Sequence, residues 1–513
     1  MSSPRLLTPR TGLLLVILSL LPACGTRTQE RRLVAPELAT TLDHQSPWLK
    51  VHMRNGDLYV LSQWRSDSIS GTVTGNGQHL DQNRVVQTDG SQQVAMDSVA
   101  LLETNVLHRS PGIAAMAVLT GISAAVTVVC LADTKACFGS CPTFYVSDGE
   151  RPMLQAEGFS GSIAPALEAR DIDALYRARP QSRTLEVNLK NEALETHVIR
   201  YARILAVPRP AEGRVFATGD GRFLTASRLT SPAVCRADEG DCLADVAAFD
   251  ARERSSTADS TDLATRETID LEFPNSPEHP GLVIASRQSL LTTYLLYQTF
   301  AYLGTRATEA LSMLERADRP HGPAMLDVLG GIEVMVDSAG QWVTVGNDFE
   351  VGPLATDVRV VPLSHSGRGG VIRVRLRLTK GNWRLDYLAL ADLDREVMPI
   401  RLDPFEVLRG DAPDTVARQL LVDTASTLVT LPGDAFTLRY RLPEHPERYE
   451  LFLESRGYYL EWMREEWLKE ENPERSAIAL GDPARALRML APEYKKLEPR
   501  MDAAFWRSRY AKP

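Results

Sequence analysis

Short runs of alternating apolar and polar residues, separated by glycine-containing turns, recur along most of this 513-residue chain. The first two runs are WLKVHM and DLYVLSQW. The turns of this kind are Asn55-Gly56, Asp148-Gly149, Asp220-Gly221 and Ala339-Gly340. Because successive side chains of a strand point to opposite faces, this alternation is typical of antiparallel strands joined by tight turns. We therefore expect a mainly β protein with some helix, and the irregular spacing excludes a solenoid or propeller array.

The densest group of predicted strands lies in residues 325–453. Its runs are IEVMVDSAGQWVTVG, DVRVVPL, GVIRVRLRLT, GNWRLDYLALADL and AFTLRYRL, parted by Gly, Pro and Asp. The segment that carries Trp383, Asp386 and Tyr387 resembles a late strand of galactose-binding-like jelly rolls. This resemblance implies a β-sandwich in this part of the chain and says more about architecture than about a ligand.

Two segments lack strict alternation and favour helix. Residues 286–317 are apolar on almost every side from Leu290 to Leu303 and then become amphipathic, with Ser286 placed as an N-cap. The segment from residue 454 onward is rich in charge and favours C-terminal helices.

Composition limits the classes of partner. Hydrophobic residues make up 44% and charged residues 24%, which is typical of a globular protein, and 57 basic against 66 acidic residues leave a formal charge of −9. Because nucleic-acid binding depends on a basic surplus, we expect no nucleic-acid partner.

The N-terminus combines two arginines, Arg5 and Arg10, with the apolar run TGLLLVILSLL and the sequence LPAC. This segment resembles the signal peptide of bacterial lipoproteins, which implies cleavage after residue 23 and lipidation of Cys24. A short N-terminal membrane helix with an incidental cysteine is the alternative. Lipidation would attach the chain to a membrane of the bacterial cell envelope, on the exported side. The segments CFGSCPTFYVSDGE, LETHVIRYARILAVPRP and ESRGYYLEWMREEW are similar to uncharacterised bacterial envelope lipoproteins, a resemblance that implies no activity.

Four of the six cysteines form two closely spaced pairs around glycines. Cys137 and Cys141 flank Gly139, whereas Cys235 and Cys242 enclose an acidic turn. In an exported protein such pairs favour small disulfide loops. A four-thiolate zinc site is the alternative, although the spacings differ from the usual zinc pattern.

An uncharged apolar run covers residues 112–132, which is long enough to cross about 30 Å of hydrocarbon as a helix. Many alanines, glycines and hydroxyl residues weaken its tendency to insert. A single span after a lipid on Cys24 would also place both cysteine pairs in the reducing cytoplasm. We therefore interpret this run as a buried or re-entrant segment, with a membrane span as the alternative.

These patterns divide the chain into eight segments. They are a signal peptide at 1–23, a tether at 24–45, a small antiparallel β domain at 46–110, an apolar helix at 111–133, a β-rich domain at 134–280, a helical segment at 281–320, a β-sandwich at 321–453 and C-terminal helices at 454–513.

One strand carries a candidate binding face. In VIRVRLRLT the side chains of Arg373, Arg375 and Arg377 share one face of the strand, opposite four aliphatic residues. Three guanidinium groups in a row suit an anionic glycan or a lipid phosphate. A solvated face that is paired with neighbouring acids is the competing interpretation.

The sequence contains none of the motifs that usually identify a catalytic or metal site. It lacks HExxH, a Gly-x-Ser-x-Gly elbow and a P-loop, LLVDTAST lacks the glycine of aspartic proteases, and Glu195 and His197 lack a third metal ligand nearby. We therefore predict no catalytic residue, metal or cofactor. The hypothesis that follows is a non-enzymatic binding or assembly component with a protein or glycan partner; the alternative is an envelope hydrolase that acts on glycan.

Overall fold

The strands that the structure describes all belong to five β-sheets. The computed structural model describes residues 27–34, 36–53, 57–67, 70–80, 86–109, 141–193, 195–307, 324–349, 352–364, 370–423, 425–461 and 470–507. The prediction of a mainly β fold with antiparallel sheets and a few helices is confirmed. Strands and helices are numbered below in chain order.

Sheet A is the N-terminal sheet, and among the described residues its strands pair only with one another. In spatial order they are β1 (Arg27–Val34), β6 (Val99–Arg109), β2 (Trp48–Met53), β3 (Leu58–Asp67), β4 (Thr72–Leu80) and β5 (Val86–Ala95). The sheet has its own core, which includes Leu49, Leu61 and Val73.

Part of the predicted tether at 24–45 is wrong, because residues 27–34 form strand β1 along β6. Its sequence RTQERRLV is too polar to show strand periodicity. Pairing with a neighbouring strand therefore decides its structure.

Sheets B and C pack face to face. Sheet B contains, in spatial order, β26 (Ala412–Pro413), β25 (Glu406–Arg409), β28 (Ala435–Arg441), β10 (Thr184–Lys190), β7 (Thr143–Ser147) and β8 (Pro152–Glu157). Sheet C contains β24 (Ile400–Leu402), β11 (Glu195–Pro208), β29 (Tyr449–Glu461) and β9 (Ala169–Ala174), with β27 (Leu428–Thr430) also paired to β11. The core between them includes Val187 and Leu438 of sheet B and Ile204 and Leu453 of sheet C.

Sheets D and E form a second face-to-face pair. Sheet D contains β13 (Phe223–Thr230), β12 (Arg214–Ala217), β21 (Asp357–Pro362), β18 (Pro280–Gln288), β23 (Trp383–Val397) and β16 (Arg254–Ser255). Sheet E contains β15 (Gly240–Asp241), β14 (Val234–Ala237), β17 (Arg266–Phe273), β22 (Ile372–Thr379), β19 (Ile332–Ser338) and β20 (Gln341–Asp348). Strand β13 also pairs with β23, so five strands of sheet D close into a ring. Another apolar cluster joins sheets C and D, and includes Leu205, Phe452 and Val283.

The helices described by the structure are short except for the last. They are α1 (Leu243–Val246), α2 (Leu291–Leu303), α3 (Ala324–Leu329), α4 (Thr415–Val422), α5 (Pro473–Gly481) and α6 (Pro483–Arg507). A 3₁₀ helix of six residues occurs at Pro36–Thr41, and single 3₁₀ turns occur at Met96–Ser98, Pro165–Leu167, Gly304–Arg306 and Pro446–Arg448. Helices α2, α3, α5 and α6 contribute to one apolar cluster, in which Leu295 and Leu490 are buried.

The helix predicted at 286–317 begins later than expected. Ser286 is not a cap, because β18 continues through Gln288 and the Ser286 hydroxyl donates to Asp348 at 3.4 Å. The helix starts at Leu291, whose N–H donates to the Ser289 hydroxyl, while residues 308–323 lie outside the described residues. The predicted helical tail from 454 is likewise wrong at its start, since β29 extends to Glu461.

Each of sheets B to E combines strands from the predicted segments 134–280 and 321–453. In sheet B, for example, β10 from the first segment pairs with β28 from the second. The cores of the two segments are therefore shared. The described residues include no helix long and apolar enough to cross a membrane, and the run at 112–132 lies outside them.

Candidate ligand-binding groove

The three arginines predicted as an anionic-ligand face lie together on β22, as their spacing indicated. Each one has a carboxylate partner at 3.2 Å or less. These nearest partners are Glu272 for Arg373, Asp270 for Arg375 and Glu333 for Arg377. Arg375 also stacks on the ring of Trp342. The structure thus matches the interpretation of a face paired with neighbouring acids, and these guanidinium groups are already engaged.

The two predicted disulfides have different outcomes. Cys235 and Cys242 are bonded and close the hairpin of β14 and β15, which confirms that prediction. Cys141 carries a free thiol, so the expected link to Cys137 is wrong at this end; Cys137 and Cys24 lie outside the described residues.

Cys141 is buried beside several ionisable side chains. Burial raises the pKa of its thiol, and the charges of Glu157 and Glu195 raise it further. A nucleophilic cysteine needs the opposite shift, because the thiolate is the reactive form. Cys141 therefore behaves as a protonated core residue.

The pair Glu195 and His197 lies on β11 and is fully buried. The His197 Nε2 atom is 3.2 Å from Glu195 Oε2. The part of the chain that the structure describes holds no group of three or more potential ligands that could bind a metal ion. Both side chains thus serve as a hydrogen-bonded pair inside the fold.

A surface groove of about 620 Å³ lies where three connections meet at the start of β29. The β9–β10 connection, the β11–β12 connection with the first residue of β12, and the 3₁₀ turn before β29 form its walls. They meet because β29 pairs with both β9 and β11, which brings Phe452 opposite Ala174 and Tyr449 opposite Pro208. Backbone bonds from Leu175 and other residues to the β29 region hold the walls in place.

Arginine dominates the polar lining of this groove, which we call the arginine groove. Four arginines and two glutamates line it: Arg179, Arg183, Arg209, Arg214, Glu447 and Glu450. Arg214 and Glu450 form a bidentate ion pair at 2.6 and 2.7 Å. The side chain of Glu447 is 67% exposed and lies beside His445.

The other arginines of the groove have weak partners. Arg179 donates to the backbone carbonyls of Tyr176 and Ala178, and Arg209 donates to that of Glu447. Among the described residues neither has a carboxylate within ion-pair distance. Arg183 reaches Glu444 only at 3.5 Å, and both side chains are more than half exposed.

The lining of the arginine groove also includes apolar residues. Leu175, Ala178 and Leu451 are buried residues of this lining, and Pro180 and Pro446 line the groove as well. Apolar surface combined with polar groups that fix orientation is typical of a small-ligand site. The sequence does not reveal this site, because its arginines come from separate segments, although two of them lie close together in ARPQSR.

No family model and no curated protein matches the sequence. Among solved structures, the chain is similar to the crystal structure of the GH31 α-xylosidase from Xanthomonas citri, at 9% identity and a TM-score of 0.16. The match covers 89% of this chain and 39% of that protein, so this chain spans about two fifths of its length. A TM-score this low carries no argument about fold or activity.

Proposed function

We propose that this chain is a lipid-anchored protein of the bacterial envelope that binds a ligand with an anionic group in the arginine groove. The proposal rests on one observation: Arg179 and Arg209 donate to backbone carbonyls and lack a carboxylate partner among the described residues. The protein has a formal charge of −9, and many of the other described arginines form ion pairs with acids, as Arg375 does with Asp270 and Arg254 with Glu267. Arginines without such partners, gathered around one concave surface, therefore favour an external anion.

The chemistry of the groove suits phosphate or carboxylate groups. A guanidinium presents its donors in a planar fork that matches these anions in a bidentate manner. The aliphatic and proline surfaces of the groove would contact an apolar portion of the same ligand. A binding role needs only these contacts.

Attachment to the envelope is proposed from the lipoprotein-like signal and Cys24. The disulfide between Cys235 and Cys242 supports an exported location, because such bonds persist in oxidising compartments and are rare in the cytosol. Replacement of Cys24 by serine is expected to abolish acyl labelling and sedimentation with membranes. Unchanged labelling in that variant would contradict the anchor without bearing on the groove.

Ligand binding is tested with two anionic probes, a uronic acid hexasaccharide and vesicles that contain phosphatidylglycerol. We expect the full-length protein to bind one of them and the double variant Arg179→Gln/Arg209→Gln to bind it roughly 100-fold more weakly, since each charge-assisted contact contributes about 1.5 kcal/mol. The comparison of the probes distinguishes a glycan carboxylate from a lipid phosphate.

A matched control removes the same charge elsewhere. Arg373→Gln/Arg377→Gln changes two arginines that already have acidic partners, so it is expected to leave the Kd within about twofold. An equal loss of binding affinity in the two double variants would mean that binding depends only on the net charge of the protein. That result, or no binding of either probe to the unmodified protein, would overturn the proposal.

A further inference from the structure

A second pocket, of about 490 Å³, lies at the opposite end of β9 from the arginine groove. Its walls are the segment before β9, the turn between β12 and β13, and the end of β20. We propose that this pocket binds a neutral saccharide. We call it the β9 pocket, and the proposal is independent of the anionic ligand of the groove.

Charge compensation inside the β9 pocket favours an uncharged ligand. Arg170 donates to Glu454 at 2.5 Å, and Arg359 donates to Asp357 at 2.6 Å. On the opposite wall Asp220 accepts from Arg222 at 2.9 Å. Because every one of these charges has a partner of opposite sign, the pocket offers hydrogen-bonding groups without a strong net field. In the arginine groove, by contrast, Arg179 and Arg209 have no carboxylate partner among the described residues.

The polar groups of the pocket include donors and acceptors side by side. Thr218 and Asp220 share a hydrogen bond in the turn, and the guanidinium of Arg170 packs on this turn, where a Cβ placed on Gly221 would lie 3.0 Å from Nη1. Ser162 is 1% exposed, and its hydroxyl has no hydrogen-bond partner among the described residues. Hydroxyl groups of a sugar both donate and accept, so they match such a mixed lining better than a single charged group would.

An exposed aromatic residue, Phe349, is among the residues that line the pocket. Phe349 is 59% exposed, which is unusual for a large apolar side chain, and its ring rests on Gly331, where a Cβ would lie 2.9 Å from the ring. Phe159 lines the inner wall and has a left-handed backbone with φ of 40°, which Asp171 stabilises by accepting its N–H at 2.8 Å. Strained residues of this kind are concentrated at binding sites.

Together these features fit the two sides of a sugar ring. The C–H face of a pyranose is apolar and packs on an aromatic ring, while its edge carries hydroxyl groups. Phe349 supplies the ring, and the Thr218–Gly221 turn with Arg170 supplies polar groups for the edge. A volume near 490 Å³ falls in the range of small-ligand pockets.

The test measures saturation-transfer difference NMR between the full-length protein and three neutral probes, maltotriose, cellotriose and tri-N-acetylchitotriose. We expect at least one to receive signal from the unmodified protein. Two variants locate the site. Phe349→Ala removes the aromatic ring. Gly219→Leu adds a bulky side chain to a residue that lines the pocket, and the backbone tolerates it because a Cβ at Gly219 meets no heavy atom within 4 Å and the backbone there is not left-handed. Both are expected to weaken binding at least tenfold.

Phe405→Ala is the matched control, because Phe405 is also an exposed phenylalanine but lies outside the pocket. It is expected to leave the signal unchanged. Near-ultraviolet circular dichroism verifies the fold of each variant, and if Phe349→Ala is misfolded, Gly219→Leu decides the outcome. The proposal is overturned if none of the three saccharides receives signal, or if Gly219→Leu and the control bind equally well.

Discussion

A buried ion pair joins sheets D and E and allows a quantitative prediction. Arg254 of β16 donates to both carboxylate oxygens of Glu267 on β17, at 2.9 and 2.6 Å, and the two side chains are 2% and 0% exposed. Ser256 also donates to Glu267, while the partly exposed Glu239 contacts Arg254. Replacement of Arg254 by methionine would leave a buried carboxylate with one hydroxyl donor. We expect a loss of about 3–5 kcal/mol in the free energy of unfolding.

A second substitution, Glu267→Leu, is expected to restore much of the lost free energy of unfolding. In Arg254→Met/Glu267→Leu no buried charge remains, so the double variant is expected within about 2 kcal/mol of the unmodified protein. Urea unfolding measures these values through tryptophan fluorescence, to which the buried Trp383 on the neighbouring strand β23 contributes. Arg373→Met, which breaks an exposed pair, is the control and is expected to cost less than about 1 kcal/mol.

Either of two results would contradict this prediction. If Arg254→Met costs no more than the exposed control, the pair is solvated or replaceable. If the double variant is as unstable as Arg254→Met alone, the loss comes from packing of the arginine side chain and not from an uncompensated charge.

Other measurements test single features. Burial raises the pKa of Glu157 to about 7, so the folded state favours its protonated form. The free energy of unfolding should therefore fall, by up to about 3 kcal/mol, as the pH rises from about 4.5 to 7. Urea unfolding at several pH values should show this loss, and Glu157→Gln should remove it. The Cys242→Ser variant removes the disulfide, and its free energy of unfolding should be about 2.5 kcal/mol lower, as expected for a loop closed by cysteines 7 residues apart. Equal unfolding midpoints for the variant and the unmodified protein would contradict this. In native protein, peptide mapping should show Cys141 unmodified by iodoacetamide and modified after unfolding, whereas rapid native labelling would disagree with its burial.

The alternation of apolar and polar residues correctly predicted those strands that have one face less buried than the other. In β10 the buried residues alternate strictly, as TLEVNLK indicates, and the arginines of β22 share one face as their spacing predicted. Alternation is informative there because the two faces meet different environments. The disulfide between Cys235 and Cys242 was also predictable, because the two cysteines are only 7 residues apart in sequence.

The missed features depend on partners that lie far away in sequence. Strand β1 shows little apolar periodicity, and its pairing with β6 cannot be read from RTQERRLV. Strands β11 and β23 are buried on both faces for most of their length because sheets C and D lie between other layers. The arginine groove combines residues near 179, 209 and 447, so only the pairing of β29 reveals it.

The position of β29 also governs the order in which this protein is built. Sheet C places β29 between β9 and β11, although the ribosome completes β11 at residue 208 and reaches β29 only at residue 449. Until then two aggregation-prone strand edges have no neighbour. A chaperone that covers exposed strands during synthesis would therefore be needed longest by this sheet, and chains cut short before residue 461 should be the first substrates of quality-control proteases.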